Sequence, residues 1–167
     1  MKKIIFLLSL FFLSCSSDDK YLINEGIVNI DYLFNSPNTE WFKNNYDSYD
    51  LDIKTLDYNF SNLDEFQIEI YMNTKCHDSK REVPRLIKIL NTLNFSEDNL
   101  KIVLLNSKKQ SSDGYEKGKN ITNTPTIIFL NESIEKNRIV EFPFENLEKD
   151  ILNIINNKNY KHVYYSE

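Results

Sequence analysis

The chain has 167 residues, of which 41% are hydrophobic and 13% aromatic, and its formal net charge at pH 7 is −5. This apolar content predicts a packed core rather than disorder. With 20 basic against 25 acidic residues, no basic stripe is left over for a nucleic-acid backbone, so we expect no nucleic-acid partner. The chain has two cysteines, Cys15 and Cys76.

The first fourteen residues are typical of an export signal rather than of a folded domain. A basic start precedes an almost unbroken apolar run over residues 4–13, which is shorter than the roughly 20 residues of a membrane-spanning helix. The sequence Phe12-Leu13-Ser14-Cys15 resembles the cleavage box of bacterial lipoproteins. We therefore expect residues 1–14 to be a lipoprotein signal peptide. Acylated Cys15 would then anchor the protein to a lipid bilayer of the bacterial envelope.

Two points about this anchor stay open. An ordinary signal cut nearby would leave Cys15 free. The acidic residues Asp18 and Asp19, which follow the cysteine closely, fit either an address for the outer face of the outer membrane or a plain spacer. We expect the protein to be lipid-anchored at the outer membrane, and both the periplasmic and the surface face stay open.

The next two segments precede the predicted sheet. Residues 15–35 are polar with scattered apolar positions, and we expect a tether. Ser36-Pro37 predicts a helix start, with serine as the N-cap and proline in the first turn. The aromatic stripe that follows at helical spacing is typical of packing rather than of ligand binding; it consists of Trp41, Phe42, Tyr46 and Tyr49. Residues 36–64 are therefore predicted to form a helical extension.

Residues 65–157 have the pattern of an α/β domain, followed by a C-terminal tail over residues 158–167. Alternating or continuous apolar residues predict strands over residues 66–72, 101–105, 126–130 and 138–142. Apolar positions at spacings of 3 and 4 predict one helix over residues 77–94, which Pro84 is expected to kink or split, and another from residue 147. The turn between the last two strands predicts an antiparallel hairpin. The order indicates a mixed sheet with helices on both faces.

Cys76 lies between the first predicted strand and the helix that follows it. Unpaired backbone N–H groups at a helix start favour a thiolate, so the position suits a nucleophile. Protonated His77 would add to this effect and Asp78 would oppose it; alternatively, both are exposed first-turn residues without a tuning role. With Cys15 acylated, no second cysteine is left for an internal disulfide.

Two spacings make the chain resemble the thioredoxin superfamily over residues 60–157. The family's Cys-x-x-Cys motif opens a helix, with a proline eight residues after the first cysteine, and Cys76 and Pro84 keep this spacing. The family's cis-proline precedes a strand, as Thr124-Pro125 does here. The resemblance implies a thioredoxin-like mixed sheet flanked by helices and a nucleophilic Cys76. It also implies that Thr124 and Pro125 bind an extended protein segment carrying a thiol or a disulfide. A trans turn proline is the alternative for Pro125.

The chain departs from the family at the second cysteine, which is Ser79 here. A dithiol site releases a trapped mixed disulfide by attack of its second thiol, and serine cannot do this. Its hydroxyl can still donate a hydrogen bond to a Cys76 thiolate. In addition, Lys75 replaces the usual tryptophan. We therefore expect monothiol disulfide exchange without a cofactor, with Cys76 as nucleophile and with Ser79 and His77 tuning it.

The alternative function is a redox-inactive binding module on the membrane surface. Loss of the second cysteine favours this module, whereas retention of Cys76, Pro84 and Pro125 favours exchange. Other kinds of site lack a signal in the sequence. His77 and His162 are the only histidines, so no Cys/His cluster has zinc spacing and no metal site is expected. There is also no glycine-rich phosphate loop.

Overall fold

The computed structural model describes residues 24–165. The predicted signal peptide and the predicted acylation site Cys15 lie outside these residues. The strands are β1 (Gly26–Val28), β2 (Phe66–Met72), β3 (Leu100–Leu104), β4 (Thr126–Asn131) and β5 (Ile134–Val140). The α-helices are α1 (Ile30–Asn35), α2 (Trp41–Asp47), α3 (Ile53–Leu56), α4 (His77–Thr92) and α5 (Leu147–Ile155). Short 3₁₀ helices cover Pro37–Thr39, Ser61–Glu65 and Glu97–Asn99.

The strands form one five-stranded mixed sheet in the order β1-β3-β2-β4-β5. Strands β2 and β3 are parallel, with Met72 opposite Leu104, and α4 makes most of the connection between them. Strand β4 runs antiparallel to β2 and pairs with β5 in an antiparallel hairpin. The predicted mixed α/β sheet, with its parallel pair and its hairpin, is therefore confirmed.

The expected tether is wrong over residues 26–35, which form β1 and α1. Strand β1 adds to the edge of the sheet antiparallel to β3, with Gly26 opposite Leu104. Helix α1 begins after Asn29, whose side-chain oxygen accepts a hydrogen bond from the Tyr32 N–H at 2.9 Å. A strand of three residues is too short to show a period-2 pattern, so this strand could not be recognised from its residues.

All five helices lie on one face of the sheet, so the expectation of helices on both faces is wrong. The side chains of α4 and α5 join one buried cluster with Ile68, Ile70 and Phe129 of the sheet. The opposite face has a smaller apolar cluster, made of Tyr71, Val103, Leu105, Ile128 and Leu130. Residues 106–124, which the structure describes without a helix, cover it through Tyr115 and Ile121. Two left-handed glycines, Gly114 and Gly118, interrupt this segment.

The aromatic stripe packs against the core, as predicted. Phe42 of α2 is fully buried, and Trp41, Tyr46 and Tyr49 are partly buried beside the main cluster.

Helix α4 is uninterrupted although Pro84 lies inside it, so the predicted split is not found. Proline has no N–H for the carbonyl four residues earlier, which is that of Lys80. Asn45 of α2 replaces the missing donor, because its Nδ2 donates to the Lys80 carbonyl at 2.9 Å. The helical extension thus satisfies the backbone group that Pro84 leaves free.

The segment expected as a C-terminal tail packs back onto the domain over the residues that the structure describes. The hydroxyl of Tyr160 donates to Asp150 of α5 at 2.7 Å. The Tyr160 carbonyl accepts a hydrogen bond from Asn137 of β5 at 2.9 Å. These two contacts hold the segment after α5 against both a helix and a strand.

Replacing Glu148 by alanine should loosen the helical extension from α5. Glu148 is fully buried, and its carboxylate accepts hydrogen bonds from the Tyr49 hydroxyl at 2.9 and 3.0 Å and from the Asp52 N–H at 3.0 Å. Because both donors would lose their acceptor, we expect the free energy of unfolding in urea to fall by about 2–4 kcal/mol. Glu145→Ala is the control, since its exposed pair with Lys149 is worth at most about 1 kcal/mol. Equal effects of the two changes would contradict this role of Glu148.

Replacing Glu69 by glutamine should make the protein less sensitive to acid. Burial opposes ionisation of Glu69, but hydrogen bonds from Lys119 and Tyr71 and the charge of Lys101 outweigh it and lower the pKa of the carboxyl. A carboxyl with a lowered pKa stabilises the fold above its unfolded value, about 4.3, and this contribution is lost as pH falls through the folded value. Urea unfolding from neutral to acidic pH should therefore show a shallower loss for Glu69→Gln. If the Glu69→Gln protein lost stability with falling pH as steeply as wild type, this role of Glu69 would be contradicted. Glu97 is exposed, so Glu97→Gln is the control and should follow the wild-type pH dependence.

Candidate functional site

Cys76 lies at the junction of β2 and α4, as the sequence predicts, and is a free thiol. It is the N-cap residue of α4, with extended backbone angles of φ −73° and ψ 130°, and its side chain makes no capping hydrogen bond. The first-turn N–H groups of a helix have no partners within the helix. Cys76 therefore lies directly beside the N–H groups at the start of α4.

Asn73 holds the loop between β2 and Cys76. Its Oδ1 accepts a hydrogen bond from the Lys75 N–H at 2.8 Å, and its Nδ2 donates to the Leu105 carbonyl at 2.7 Å. The loop that carries the thiol is thus tied to the end of the neighbouring strand, β3. This positioning role of Asn73 was not expected from the sequence, although an asparagine directly after a strand is a known signal for such a turn.

Thr124 and Pro125 lie beside the thiol. The Thr124–Pro125 peptide bond is cis, as expected. The Cys76 thiol donates to the Thr124 carbonyl at a sulfur–oxygen distance of 3.0 Å. The sheet explains this approach, because β4 begins at Thr126 opposite Tyr71, near the end of β2. The Glu141 N–H, just beyond β5, donates to the Pro125 carbonyl at 2.7 Å and helps to fix the turn.

Cys76 and Thr124 line one open cleft with a volume of about 550 Å³. The cleft lies at the edge of the sheet where β2 and β3 end. Its walls come from the loop before α4, the loop after β3 and the residues before β1, and they are mostly polar. They include Asn24, Glu25, Asn73, Thr74, Lys75, Asn106, Ser107 and Lys109. A chain segment or a small molecule in this cleft would meet the thiol directly.

Ser79 is fully buried, and its hydroxyl accepts a hydrogen bond from the Asn73 N–H at 3.3 Å. In the described part of the chain, the hydrogen bond of this side chain is therefore with the loop rather than with Cys76. Ser79 and Asn73 together brace the segment that presents the thiol.

His77 lies outside the cleft that contains the thiol. Its side chain is 84% exposed, and its Nδ1 is 3.7 Å from a carboxylate oxygen of Asp78. The imidazole lines a separate cleft together with Lys80, Arg81 and Arg85. This geometry favours the alternative of an exposed first-turn residue over a tuning role.

Glu82 is a buried acid on α4 that sequence analysis did not single out. One carboxylate oxygen pairs with the guanidinium groups of Arg81 and Arg85. The other oxygen has no hydrogen-bond partner within residues 24–165. Arg81 also pairs with Asp78 at 2.7 Å, so acids and arginines alternate along the first turns of the helix.

Neither a metal centre nor a membrane span is found within residues 24–165. No three His, Cys, Asp or Glu side chains there lie close enough together to hold a metal ion. No helix in the same range is both long and apolar enough to cross a bilayer.

No protein-family model, curated protein or solved structure matches this chain.

Proposed function

We propose that the protein is a membrane-anchored, thioredoxin-like protein that performs monothiol disulfide exchange in a bacterial envelope. The observation that carries this proposal is the contact between the Cys76 thiol and the Thr124 carbonyl, 3.0 Å apart, in one open cleft. A nucleophile at a helix start thereby lies next to the backbone that precedes a cis-proline. An extended protein segment bound at Thr124 and Pro125 would bring its sulfur to Cys76.

The exchange has two steps. The Cys76 thiolate attacks one sulfur of the substrate disulfide, the S–S bond breaks, and the other sulfur leaves as a thiolate that takes up a proton. Cys76 is then held in a mixed disulfide. A thiol of the same substrate, or of a second molecule, must attack this bond to free Cys76 as a thiol. In the first case the substrate disulfide is rearranged, and in the second case the substrate is joined to the second molecule by a disulfide. The total number of disulfides and thiols is unchanged in both cases.

Support for a thioredoxin-like fold comes from the order of elements around the thiol. A parallel pair of strands is joined through a helix that begins next to the cysteine, and the cis-proline precedes the antiparallel hairpin β4–β5. The final helix, α5, packs on the same face as α4. Support for the anchor comes from the sequence alone, in the apolar leader and the cleavage box that ends at Cys15.

Alkylation of Cys76 tests this function. At neutral pH, an activated thiolate in the folded protein should react with iodoacetamide roughly ten times faster than the same cysteine in the chain unfolded by urea. Cys15→Ser protein leaves Cys76 as the only thiol, so the label reports on one site. Intact mass would be followed over time in both conditions.

A redox-inactive binding module is the second candidate. The observation that favours it is the buried Ser79, whose hydroxyl braces the Asn73 loop where a dithiol enzyme needs a thiol. In that case the cleft would bind a partner segment without exchange. Cys76 would then react more slowly in the folded than in the unfolded chain, which would overturn the exchange proposal.

A further inference from the structure

We propose that the Cys76 site acts on disulfides held close to the bilayer surface, in the membrane-proximal part of an anchored partner protein. This inference rests on the proposed function, in both its thiol chemistry and its lipid anchor. It concerns the position of the site relative to the anchor, which the sheet topology determines.

The topology brings the start of the described chain to the edge of the sheet that carries the thiol. Strands β2 and β3 are parallel, so their C-terminal ends lie at one edge. Cys76 follows the end of β2. Strand β1 runs antiparallel to β3, with Gly26 opposite Leu104, so β1 begins at the edge where β3 ends. The chain therefore enters the fold at the edge where Cys76 lies.

Side-chain contacts locate this entry point more closely. Asn24 and Glu25, just before β1, line the same cleft as Cys76 and Thr124. The Asn24 Oδ1 accepts a hydrogen bond from the Asn38 Nδ2 at 3.1 Å, which ties the entry point to the 3₁₀ helix after α1. The first described residue is thus a wall of the cleft that contains the thiol.

The length of the preceding segment limits how far this cleft can lie from the anchor. Asn24 follows Cys15 by nine residues, and a chain spans at most about 3.3–3.6 Å per residue, or about 30 Å in all. Since Asn24 and Cys76 share one cleft, the thiol would stay within roughly 40 Å of the acylated cysteine. A domain of this length is itself about 40 Å across, so the opposite edge of the sheet can lie much farther away.

The anchored domain would therefore keep its reactive edge within roughly 40 Å of the bilayer surface. Disulfides close to the bilayer experience a high effective concentration of Cys76, as tethering predicts. Disulfides far above the membrane lie beyond the reach of the thiol. The expected partner is a membrane-anchored protein with a cysteine or disulfide in the segment next to its anchor.

Vesicles can test this reach with the full acylated chain. They would contain phosphatidylglycerol and phosphatidylethanolamine, with a pyridyl disulfide linked to part of the ethanolamine headgroups. Attack by Cys76 forms a mixed disulfide with the lipid-linked sulfur and releases pyridinethione, which is measured by absorbance. A soluble pyridyl disulfide is the second probe.

A stiff proline-rich spacer of about 20 residues, inserted after Asp19, lengthens the connection between the anchor and the domain by roughly 60 Å.

The spacer should lower the rate with the lipid-linked probe by at least about tenfold and leave the soluble probe within about twofold. The same spacer added after Glu167 is the matched control and should change neither rate. An unchanged rate with the lipid-linked probe, or a chain that does not associate with the vesicles, would overturn the inference. Reaction of the unmodified chain with the soluble probe alone would overturn it and leave thiol exchange standing. Reaction with neither probe would overturn both.

Discussion

Replacing Cys76 by serine should abolish disulfide exchange and leave the fold at least as stable as before. A serine hydroxyl forms no disulfide, so the first step of exchange cannot occur. The Cys76 side chain makes one described hydrogen bond, to the Thr124 carbonyl, and a serine hydroxyl can also donate there. Serine is a strongly preferred N-cap residue, so the start of α4 should gain up to about 1 kcal/mol.

The rate of exchange and the free energy of unfolding would be measured on the same preparations. We expect exchange with a disulfide peptide to fall at least about a thousandfold, as expected for loss of a nucleophile. Thr74→Ala is the matched control, since Thr74 lines the same cleft without taking part in the chemistry. Exchange by the Cys76→Ser protein at more than a tenth of the wild-type rate would rule out Cys76 as the nucleophile.

Replacing Ser79 by cysteine should shorten the lifetime of a mixed disulfide on Cys76 by at least about tenfold. Residue 79 follows Cys76 by three positions, so the two side chains lie on the same side of the first helical turn. A thiol at this position can attack the mixed disulfide within the molecule and release the bound partner. The product would be an internal disulfide between residues 76 and 79.

The same change should cost some stability. The Ser79 hydroxyl accepts the Asn73 N–H at 3.3 Å, and loss of this hydrogen bond costs about 1 kcal/mol. Ser79→Ala separates the two effects, because it removes the hydrogen bond without adding a thiol. Its mixed disulfide should last as long as that of wild type. A Ser79→Cys protein whose adduct also lasts that long would contradict a resolving role for this position.

Much of the sheet could be predicted because its strands bury alternate or continuous apolar residues. Strand β2 shows a clear alternation, and the buried strand β4 shows a continuous apolar run. The helix spacing of α4 and α5 is equally clear. These patterns arise from burial, which the sequence records directly.

The incorrect predictions concern segments whose structure depends on contacts far away in the chain. Strand β1 is three residues long and exists because β3 offers it an edge. The sheet face opposite the helices is covered by the loop over residues 106–124. The Tyr71 hydroxyl holds this loop by donating a hydrogen bond to the Tyr115 carbonyl at 3.1 Å. The intact helix around Pro84 depends on Asn45, which precedes it by 39 positions. None of these contacts leaves a local pattern in the sequence.

Some features of the candidate site were also expected from the sequence, and others were not. The position of Cys76 and the cis bond at Pro125 were expected from motifs, and the structure has both. The hydrogen bonds of Asn73 and Ser79 were not expected, because each depends on how the loop between β2 and Cys76 folds against α4 and the end of β3. The approach of Asn24 to the cleft follows from the direction of β1, a strand that the sequence did not reveal.

The most direct test of monothiol exchange at Cys76 is the intact mass of the folded protein during incubation with a disulfide peptide. The Cys15→Ser protein would be used, so that Cys76 is its only thiol. We predict that a single peptide adduct forms on Cys76, persists when free peptide is removed, and disappears when a small thiol is added. An adduct that forms only in the unfolded chain, or one that decays without added thiol, would contradict the proposed function.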